Sequence, residues 1–470
     1  QTTITIPELD VVHVPGFAFR FDSGEASRKG QFRRQTMHSG VMSKFDPDGE
    51  SILLHLVPKS EFLEHPEWFM HWETDTPLGD VNEEYTIAYG LELLRQGSEA
   101  QHQLAVQERR LPYQPCMTSD AALQAAKQNA LLRLEEHYPV MQKHPPAILW
   151  VVQQDGRYFC RCSDCVAGRE AEGSESGNWL AFTNAVAEAI TEQYPDVLVG
   201  MHAYLHTIKP PKTVRPHDNV LIYIASLDRD QKKDFSQHAD GTYIKGWCDI
   251  AKNVWVWDYD TNFRNYITPH PNYLTTARNI RFCAEAGCTG MRIQGSHGRL
   301  SDLYQMRDWV NLQLMWDPSR APDALRREFC DGFYGPAGKH VIEYVTTLDE
   351  IINRDDTFLS CFSPTTENWL SLEDLNAITR IVENAESAAA NDPVLSKRVK
   401  QLRFSVNAVW LRRYQALKTA AADSGLPFLG PEDPQAALAE FEALLDQNIG
   451  HYRQNVEIPE LMQILREAIE

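Results

Sequence analysis

The sequence predicts an α/β fold: a TIM-like (β/α)8 barrel followed by an all-α C-terminal domain. Two observations lead to this prediction. Between about residues 147 and 300, short apolar runs alternate with helical patterns, which is typical of βα units and a parallel sheet. Beyond residue 320 the strand patterns fade and only amphipathic helices remain. We therefore expect a barrel over residues 1–320 and a helical domain over residues 321–470.

Five apolar runs mark the central strands of the predicted barrel. They cover residues 147–152, 197–204, 219–225, 253–257 and 290–294. Helical spacing of apolar residues predicts helices between them, at 178–193 and at 273–286. The second helix follows Pro271 and precedes Gly287, which favours a helix end there.

Less regular strands are predicted upstream, bringing the total to about eight. They cover residues 11–21, 40–45 with 52–57, and 115–118. A polar, Gln- and Glu-rich stretch near 72–112 is predicted to be a helical insertion. After Trp316, amphipathic helices are predicted at 321–334, 340–352, 372–390, 396–422, 434–453 and 459–470.

Composition excludes several classes of partner and of enzyme. The formal net charge is −20, so the clustered Lys and Arg that bind phosphates are lacking, and we expect no nucleic-acid partner. No apolar run reaches the ~18–20 residues needed to span a bilayer. The motifs of zincins, α/β-hydrolases, P-loop enzymes and dinucleotide-binding enzymes are all missing from the sequence, and we predict no cofactor.

Polar and aromatic residues follow most of the central strands. In a parallel β/α barrel the active site lies at the carboxyl ends of the strands. These ends carry Gln153, Gln154, Asp155, His202, Tyr204, His206, Asp228, Arg229, Asp230, Trp257, Asp258, Tyr259, Asp260, Asn262, Gln294, Ser296 and His297. Aromatic rings stack on sugar rings, while amides, histidines and carboxylates bind hydroxyls. The sequence therefore predicts a carbohydrate site.

Cleavage of a glycosidic bond needs an acid and a second group that attacks or stabilises the anomeric carbon. We predict Asp155 as the acid/base and Asp258 or Asp230 as its partner, with Asp228 a further possibility. The alternative is that Asp155 before Gly156 only forms a turn, and that the other carboxylates are solvated loop residues. Trp255 and Trp257 lie two apart and share one face, either the lumen or the helix-packed side.

Three cysteines lie within six residues: Cys160, Cys162 and Cys165. Three thiolates are able to bind zinc with a fourth ligand from Cys116 or a histidine. A local disulfide or buried thiols are the alternatives. We assign no metal site from the sequence.

The ordered motifs resemble the bacterial family of the domain of unknown function 4838, which includes glycoside hydrolase family 163. The matching pieces include LLHLVPKSEFLEHPEWF at 53–69, VVQQDGRYFCRCSDC at 151–165, WVWDYDTNF at 255–263 and MRIQGSHG at 291–298. The resemblance implies a TIM-like barrel in an enzyme that is secreted, periplasmic or on the cell surface. For family 163 it implies an endo-β-N-acetylglucosaminidase that acts on N-glycans by substrate assistance.

Carried over by motif, the resemblance implies pocket residues His55, Asp155, His202, Tyr204, Trp257, Asp258, Tyr259, Asn262 and Gln294. The chain departs from the family in having no Glu at the end of a central strand. Two alternatives stay open. One is a barrel glycosidase for uronate or sulfated polysaccharide, with Arg20, Arg33 and Arg34 binding the anionic groups. The other is a non-catalytic glycan-binding protein.

Overall fold

The computed structural model describes residues 14–22, 52–72, 98–142, 146–296, 301–354, 356–363, 365–445, 451–453 and 456–470. The described strands are β1 Phe19–Asp22, β2 Phe69–His71, β3 Arg110–Pro115, β4 Ile148–Trp150, β5 Leu198–Tyr204, β6 Val220–Ala225, β7 Asn253–Tyr259, β8 Gly290–Gln294, β9 His451–Arg453 and β10 Val456–Glu457. Six of them form a curled, parallel sheet at the centre of the fold, with the strand order β1-β8-β7-β6-β5-β4.

Along the chain, β1 is the first strand of this sheet and β8 is the last, and the two pair as they do in a closed barrel: Phe19 of β1 lies opposite Gly290 of β8. The prediction of eight barrel strands is not confirmed, however. Between β1 and β4 the described part of the chain contains β2 and β3, which pair antiparallel with each other and stand outside the parallel sheet. The described strands thus form a half-barrel in a mixed α/β fold.

Helices cover the convex face of the sheet and make up the C-terminal third of the chain. Those up to the last sheet strand are α1 Ile52–His55, α2 Glu99–Glu108, α3 Asp120–Met141, α4 Ser163–Glu172, α5 Ser176–Thr191, α6 Ala239–Cys248 and α7 Tyr273–Ala286. After the sheet follow α8 Tyr304–Trp316, α9 Pro322–Tyr334, α10 Gly338–Arg354, α11 Leu372–Ala389, α12 Pro393–Arg412, α13 Tyr414–Ser424, α14 Pro434–Leu445 and α15 Ile458–Ile469. In the part of the chain that is described, no helix is long and apolar enough to cross a membrane.

The two faces of the sheet differ in what they contact. Side chains of alternate residues point to opposite faces of a strand. On β7, Val254 and Val256 join the large core cluster formed with the helices, whereas Trp255 belongs to a separate cluster on the concave face. The same large cluster includes Leu325 and Tyr344 of the C-terminal helices. The helices after residue 320 thus pack through a core continuous with the convex face, and the boundary at 320 stays a prediction.

Two predicted upstream strands differ in the structure. Residues 52–57 were predicted as a strand but begin with the short helix α1. The prediction failed because a short apolar run does not by itself distinguish a strand from a buried helical turn. The backbone N–H of Ile52 still donates to the carbonyl of Val152 beside β4. Of residues 115–118 only Pro115 lies in a strand, as the last residue of β3, and Ser119 then caps α3 by accepting a hydrogen bond from the N–H of Ala122. Residues 11–13 and 40–45 lie outside the described residues.

The predicted insertion and C-terminal helices are recovered in part. Glu99–Glu108 is helical, as expected for the 72–112 stretch, of which residues 73–97 are not described. The helix predicted at 396–422 is divided at Arg413 into α12 and α13. There the Arg413 backbone leaves the helical region and its side chain donates to the carbonyl of Leu370 at 2.6 Å. The helix predicted at 434–453 ends at Leu445.

Candidate functional site

The concave face of the sheet is lined by aromatic rings. Trp255 and Trp257 of β7 both point to this face, which settles the alternative that the sequence left open. Phe19 of β1 stacks on Trp255 with ring centroids 4.0 Å apart, and Tyr223 of β6 stacks on Trp257 at 5.7 Å. Trp255 is buried and Trp257 is only half-buried. Trp255 thus lies at the filled base of the concave face, and Trp257 is the more exposed of the two indoles.

Two glycines on this face make room for the indoles. A Cβ atom at Gly290 would lie 2.5 Å from the Trp255 ring, and one at Gly200 would lie 2.4 Å from the Trp150 ring. Neither contact is possible for a real side chain, so these positions require glycine. The alternation of large and small residues between neighbouring strands thus depends on them.

Asp155 lies in the loop after β4, and β3 holds the backbone of that loop. The Tyr113 hydroxyl donates to the carbonyl of Asp155. Gln114 donates to the carbonyl of Gln154 at 2.8 Å and accepts from its N–H at 3.0 Å. Gly156 has a φ of 117°, a conformation that favours glycine. The chain bends at Asp155-Gly156, and the Asp155 side chain is exposed.

Tyr204, at the end of β5, contacts the Asp155 carboxylate. Its hydroxyl donates a hydrogen bond of 3.0 Å to Asp155 Oδ1. Burial raises the pKa of the Tyr204 phenol, and the neighbouring Asp155 carboxylate raises it further. The phenol therefore remains a protonated donor at neutral pH. The structure brings together these two residues, as the sequence predicted.

A second group of polar residues fixes the backbone of Tyr204 by hydrogen bonds. The side chain of Gln153 donates to the carbonyl of Tyr204 at 3.0 Å, and Thr207 donates to Gln153 Oε1 at 2.9 Å. The N–H of Tyr204 in turn donates to Thr207 Oγ1 at 3.0 Å. Sequence reasoning placed Gln153 at a strand end but did not identify Thr207, Tyr113 or Gln114. The contacts of these three residues form only in the tertiary structure, so they leave no pattern in the local sequence.

Trp257 is oriented by two residues of β8. Gln294 accepts a hydrogen bond of 3.0 Å from the indole Nε1, and the Arg292 guanidinium lies 4.0 Å from the centre of the ring. The sequence predicted Gln294 as a site residue but did not identify Arg292. Arg292 could have been found from its position two residues before Gln294, because alternate residues of a strand point to the same face.

His202 and Tyr259 complete the concave face. His202 is buried, with its ring edge-on to those of Tyr223 and Trp257 at 5.3 and 6.1 Å. Tyr259 stacks on Trp257 at 5.6 Å, and its phenol lies close enough to Tyr204 for the two to interact electrostatically. The structure therefore brings together five residues of the predicted site, whose role in binding a sugar stays a prediction: His202, Tyr204, Trp257, Tyr259 and Gln294.

Asp258 does not share this site. It points to the convex face, is completely buried, and uses both carboxylate oxygens. Oδ1 accepts from Arg229 at 2.6 Å and Oδ2 accepts from Asn279 of α7 at 2.8 Å. The physical reason is the two-residue period of a strand, which places Asp258 opposite to Trp257 and Tyr259. The expected pairing of Asp258 with Asp155 is therefore corrected.

Asp230 and Asn262 hold a loop rather than face the open site. Asp230 Oδ1 accepts from the N–H of Leu359 at 3.1 Å. Asn262 donates to the carbonyl of Ser363 at 2.8 Å and accepts from the N–H of Arg264 at 2.9 Å. Both residues thus tie the 359–363 segment to the strand ends, and the structure does not place either beside Asp155.

Arg20 and His55 also lie elsewhere. Arg20 of β1 donates to the carbonyl of Phe17 at 2.5 Å and lies 5.0 Å above the ring of Trp316 in α8, on the convex face. His55 lies beside Arg133 and His137 of α3, and burial with these cations lowers its pKa. The structure groups neither residue with Asp155. Residues Arg33, Arg34 and His297 lie outside the described part.

Asp228 is the one further predicted carboxylate that lies on the exposed side. It forms an ion pair with Arg157, and both side chains are about half exposed. Because Arg157 is two residues after Asp155, this pair connects the loop after β4 with the loop after β6. Asp228 thus belongs to the same edge of the sheet as Asp155.

Asp260 belongs to a buried polar layer next to the site, which also contains Asn272, Arg307 and Asn311. Its Oδ2 accepts from Asn311 of α8 at 2.7 Å, and burial raises its pKa to about 6. In the same layer, Arg307 donates to the side chain of Asn272 at 2.6 Å. The layer joins the strand ends to α8 and leaves the Asp260 carboxylate shielded from solvent.

No curated protein matches the sequence. One solved structure, an enzyme of glycoside hydrolase family 138 targeting pectin rhamnogalacturonan II, has 9% identity and a TM-score of 0.40 over 97% of this chain and 68% of that one. A similarity this low carries no argument about function. The profile described as domain of unknown function (DUF4838) matches residues 100–346, more than half of the chain. The chain therefore belongs to the DUF4838 family.

Proposed function

We propose that this protein is a glycoside hydrolase whose active site lies at the carboxyl ends of β4, β5, β7 and β8. One observation carries the proposal: an exposed carboxylate, Asp155, is held by the Tyr204 hydroxyl at the edge of an aromatic concave face. An exposed carboxylate beside an aromatic surface supplies two of the groups that glycosidic bond cleavage uses, an acid/base and a stacking surface for the sugar.

Each residue has a role in this proposal. Asp155 protonates the leaving oxygen and later deprotonates a water molecule. Tyr204 is a positioning residue, because it fixes the orientation of the Asp155 carboxylate. Trp257 stacks on a sugar ring, and Gln294 fixes the plane of its indole. His202 lies deeper on the same face and fits a hydrogen bond to a sugar hydroxyl.

We further propose that the substrate is an amino-sugar glycan cleaved with assistance from its own 2-acetamido group. In that mechanism the acetamido oxygen attacks the anomeric carbon, so the protein does not supply a nucleophile. Two of the predicted partner carboxylates are engaged elsewhere: Asp258 with Arg229, and Asp230 with the backbone of Leu359. Asp228 remains at the exposed edge, and we assign it the role of orienting the acetamido group.

A hydrolysis screen tests the proposal. The purified chain is incubated with N-glycoproteins, amino-sugar oligosaccharides, and uronate-rich or sulfated polysaccharides, and the products are read by mass spectrometry. We expect glycans with N-acetylglucosamine at the new reducing end. Cleavage of only the acidic polysaccharides would favour the alternative substrate class. Glycan binding without product after long incubation would contradict the hydrolase proposal and favour a binding protein.

A substrate pair tests the assistance step separately. Two glycosides that differ only in carrying a 2-acetamido or a 2-hydroxyl group are compared. We expect turnover of the first alone, because only its acetamido oxygen is able to attack the anomeric carbon. Equal turnover of both would keep the hydrolase proposal and remove substrate assistance, requiring a nucleophile from the protein.

The proposed substrate also bears on where the protein acts. Large glycans are encountered outside the cytoplasm, so we propose a secreted, periplasmic or cell-surface location. Fractionation of the source cells, followed by immunodetection of the chain, tests this. Recovery in the cytoplasmic fraction alone would contradict it.

A further inference from the structure

Four cysteines beside the Asp155 loop bring their sulfur atoms together. Cys116 follows β3, Cys160 and Cys162 lie in the loop after β4, and Cys165 is in the first turn of α4. All four Sγ atoms lie within 4.8 Å of one another. The sequence places three of them close together, but Cys116 joins them only through the fold.

The spacing of these sulfurs matches a tetrahedral metal site. Zn²⁺ binds thiolates at about 2.3 Å in tetrahedral geometry, so the sulfurs around one ion are about 3.8 Å apart. Cys116 Sγ lies 3.7 Å from Cys162 Sγ and 3.8 Å from Cys165 Sγ. Four thiolates in a tetrahedron favour zinc over the harder divalent ions, which prefer oxygen ligands.

The surroundings of the sulfurs are able to stabilise thiolates. The N–H of His71 points at Cys160 Sγ at 3.2 Å, and the Thr118 hydroxyl lies 3.2 Å from Cys165 Sγ. Such donors around a metal site orient the ligands and stabilise their negative charge. Cys162 is the N-cap of α4, where the amino end of a helix also favours a negative charge.

We propose that Cys116, Cys160, Cys162 and Cys165 bind one structural zinc ion. The four ligands close the coordination sphere, so the ion has no open position for substrate or water. Three of the four cysteines are buried and Cys162 is half-buried, so the site lies at the margin of the core. The sequence alone left metal binding, a disulfide and buried thiols as alternatives for this cluster and assigned no metal site.

The ion would anchor the loop that carries Asp155. Cys160 is five residues after Asp155, and Cys116 is on the strand segment whose Tyr113 and Gln114 already hold the loop backbone. Zinc binding would therefore connect β3, the Asp155 loop and α4 at one point. The reacting groups would not touch the ion, so the site is independent of the proposed hydrolase function.

Metal analysis of the whole chain tests the proposal. The protein is produced under reducing conditions with zinc in the medium, dialysed, and measured by inductively coupled plasma mass spectrometry. We expect one zinc per chain in the wild type and in Cys248→Ser, whose sulfur lies 3.6 Å from Cys288 in a separate group. We expect a loss of most of the zinc in Cys162→Ser.

Two further measurements on the wild type cover the case in which Cys162→Ser does not fold. Stepwise titration with a thiol-reactive mercurial, in the presence of a metal-sensitive dye, should release one zinc as four thiols react. Replacement of zinc by Co²⁺ should give the visible absorption of a tetrahedral cobalt thiolate. Iron in place of zinc, four freely reactive thiols without metal, or two disulfides in the intact mass would each overturn the proposal.

Discussion

The Tyr204 hydroxyl donates a 3.0 Å hydrogen bond to Asp155 Oδ1, and this bond joins the ends of the neighbouring strands β4 and β5. Both partners are fixed independently. The backbone of Asp155 is held by Tyr113, and Tyr204 is held by Gln153 and Thr207. A carboxylate fixed in this way and still exposed is pre-organised for a reaction with a bound substrate.

Removing the Tyr204 hydroxyl should slow turnover without unfolding the protein. Tyr204→Phe keeps the ring and removes one hydrogen bond to a charged group, which is worth about 1.5–3 kcal/mol. We therefore expect kcat to fall roughly 10- to 100-fold. Tyr194→Phe, near the end of α5 and away from the concave face, is the matched control and should leave kcat unchanged.

The same variant tests whether Tyr204 acts through Asp155. In an Asp155→Asn background, Tyr204→Phe should produce almost no further loss, because the carboxylate that it positions is already gone. Steady-state kinetics of the two single variants and the double variant measure this. Fully additive losses would show that Tyr204 acts on the substrate directly.

Trp257 should contribute to substrate binding more than to the chemical step. Trp257→Phe keeps an aromatic ring but loses contact area and the hydrogen bond to Gln294, so we expect KM to rise about 3- to 10-fold with kcat nearly constant. Trp309→Phe on α8 serves as the control, since Trp309 packs against Phe329 among the helices. An unchanged KM in Trp257→Phe would remove the indole from the sugar site.

Asp258 should matter for stability rather than chemistry. Asp258→Asn leaves Arg229 completely buried without its counter-charge, which costs about 3–5 kcal/mol of unfolding free energy. Asp218→Asn breaks an exposed ion pair with Lys252 that solvent screens, so it should change the unfolding free energy far less. Urea denaturation measures both. Full stability of Asp258→Asn with abolished turnover would return Asp258 to the reaction.

His206 should make the fold sensitive to acid. Both ring nitrogens are shielded, and burial, with Arg157 and Arg169, lowers the pKa of His206 to about 3. An unfolded chain binds this proton near pH 6.5, so the stabilisation is complete above that pH and is lost as pH falls towards 3. The expected loss is about 1.4 kcal/mol per pH unit, or about 2 kcal/mol between pH 6.5 and pH 5.

Substitution of His206 tests that assignment. His206→Phe has no ring proton to bind, so its unfolding free energy should fall less steeply over the same pH range. Denaturation midpoints at several pH values, compared between the variant and the wild type, measure the difference. Equal slopes would show that other groups cause the acid sensitivity.

The sequence predicted the central part of the fold well. Buried parallel strands are nearly continuous apolar runs, so β8 was predicted at its observed bounds, Gly290–Gln294. Helix α7 was also predicted at its observed bounds, because Gly287 with a φ of 92° ends it. Upstream, the predicted strand at 11–21 overlaps β1, Phe19–Asp22, and the one at 40–45 lies outside the described residues. The run at 52–57 begins with a helix, since a short apolar run does not distinguish a strand from a helical turn.

The candidate site was predicted only in part, because tertiary contacts leave no pattern in the sequence. Strand ends indicated Asp155 and Tyr204, but not the Tyr113 and Gln114 side chains that hold the loop from another strand. The sequence alone could have excluded the pairing of Asp258 with Asp155, because adjacent residues of a strand point to opposite faces and Asp258 follows Trp257. Cys116 joins the other three cysteines only through a tertiary contact across 46 positions with Cys162.

The most direct measurement is the turnover of Asp155→Asn on the glycan that the wild type cleaves. Loss of a general acid should lower kcat about 10²- to 10⁴-fold. The thermal midpoint should change little, because Tyr113 contacts the Asp155 backbone and the amide oxygen introduced by Asp155→Asn is still able to accept from Tyr204. Asp249→Asn, an exposed carboxylate at the end of α6, is the control and should keep full turnover. Retained turnover in Asp155→Asn would contradict the proposed active site.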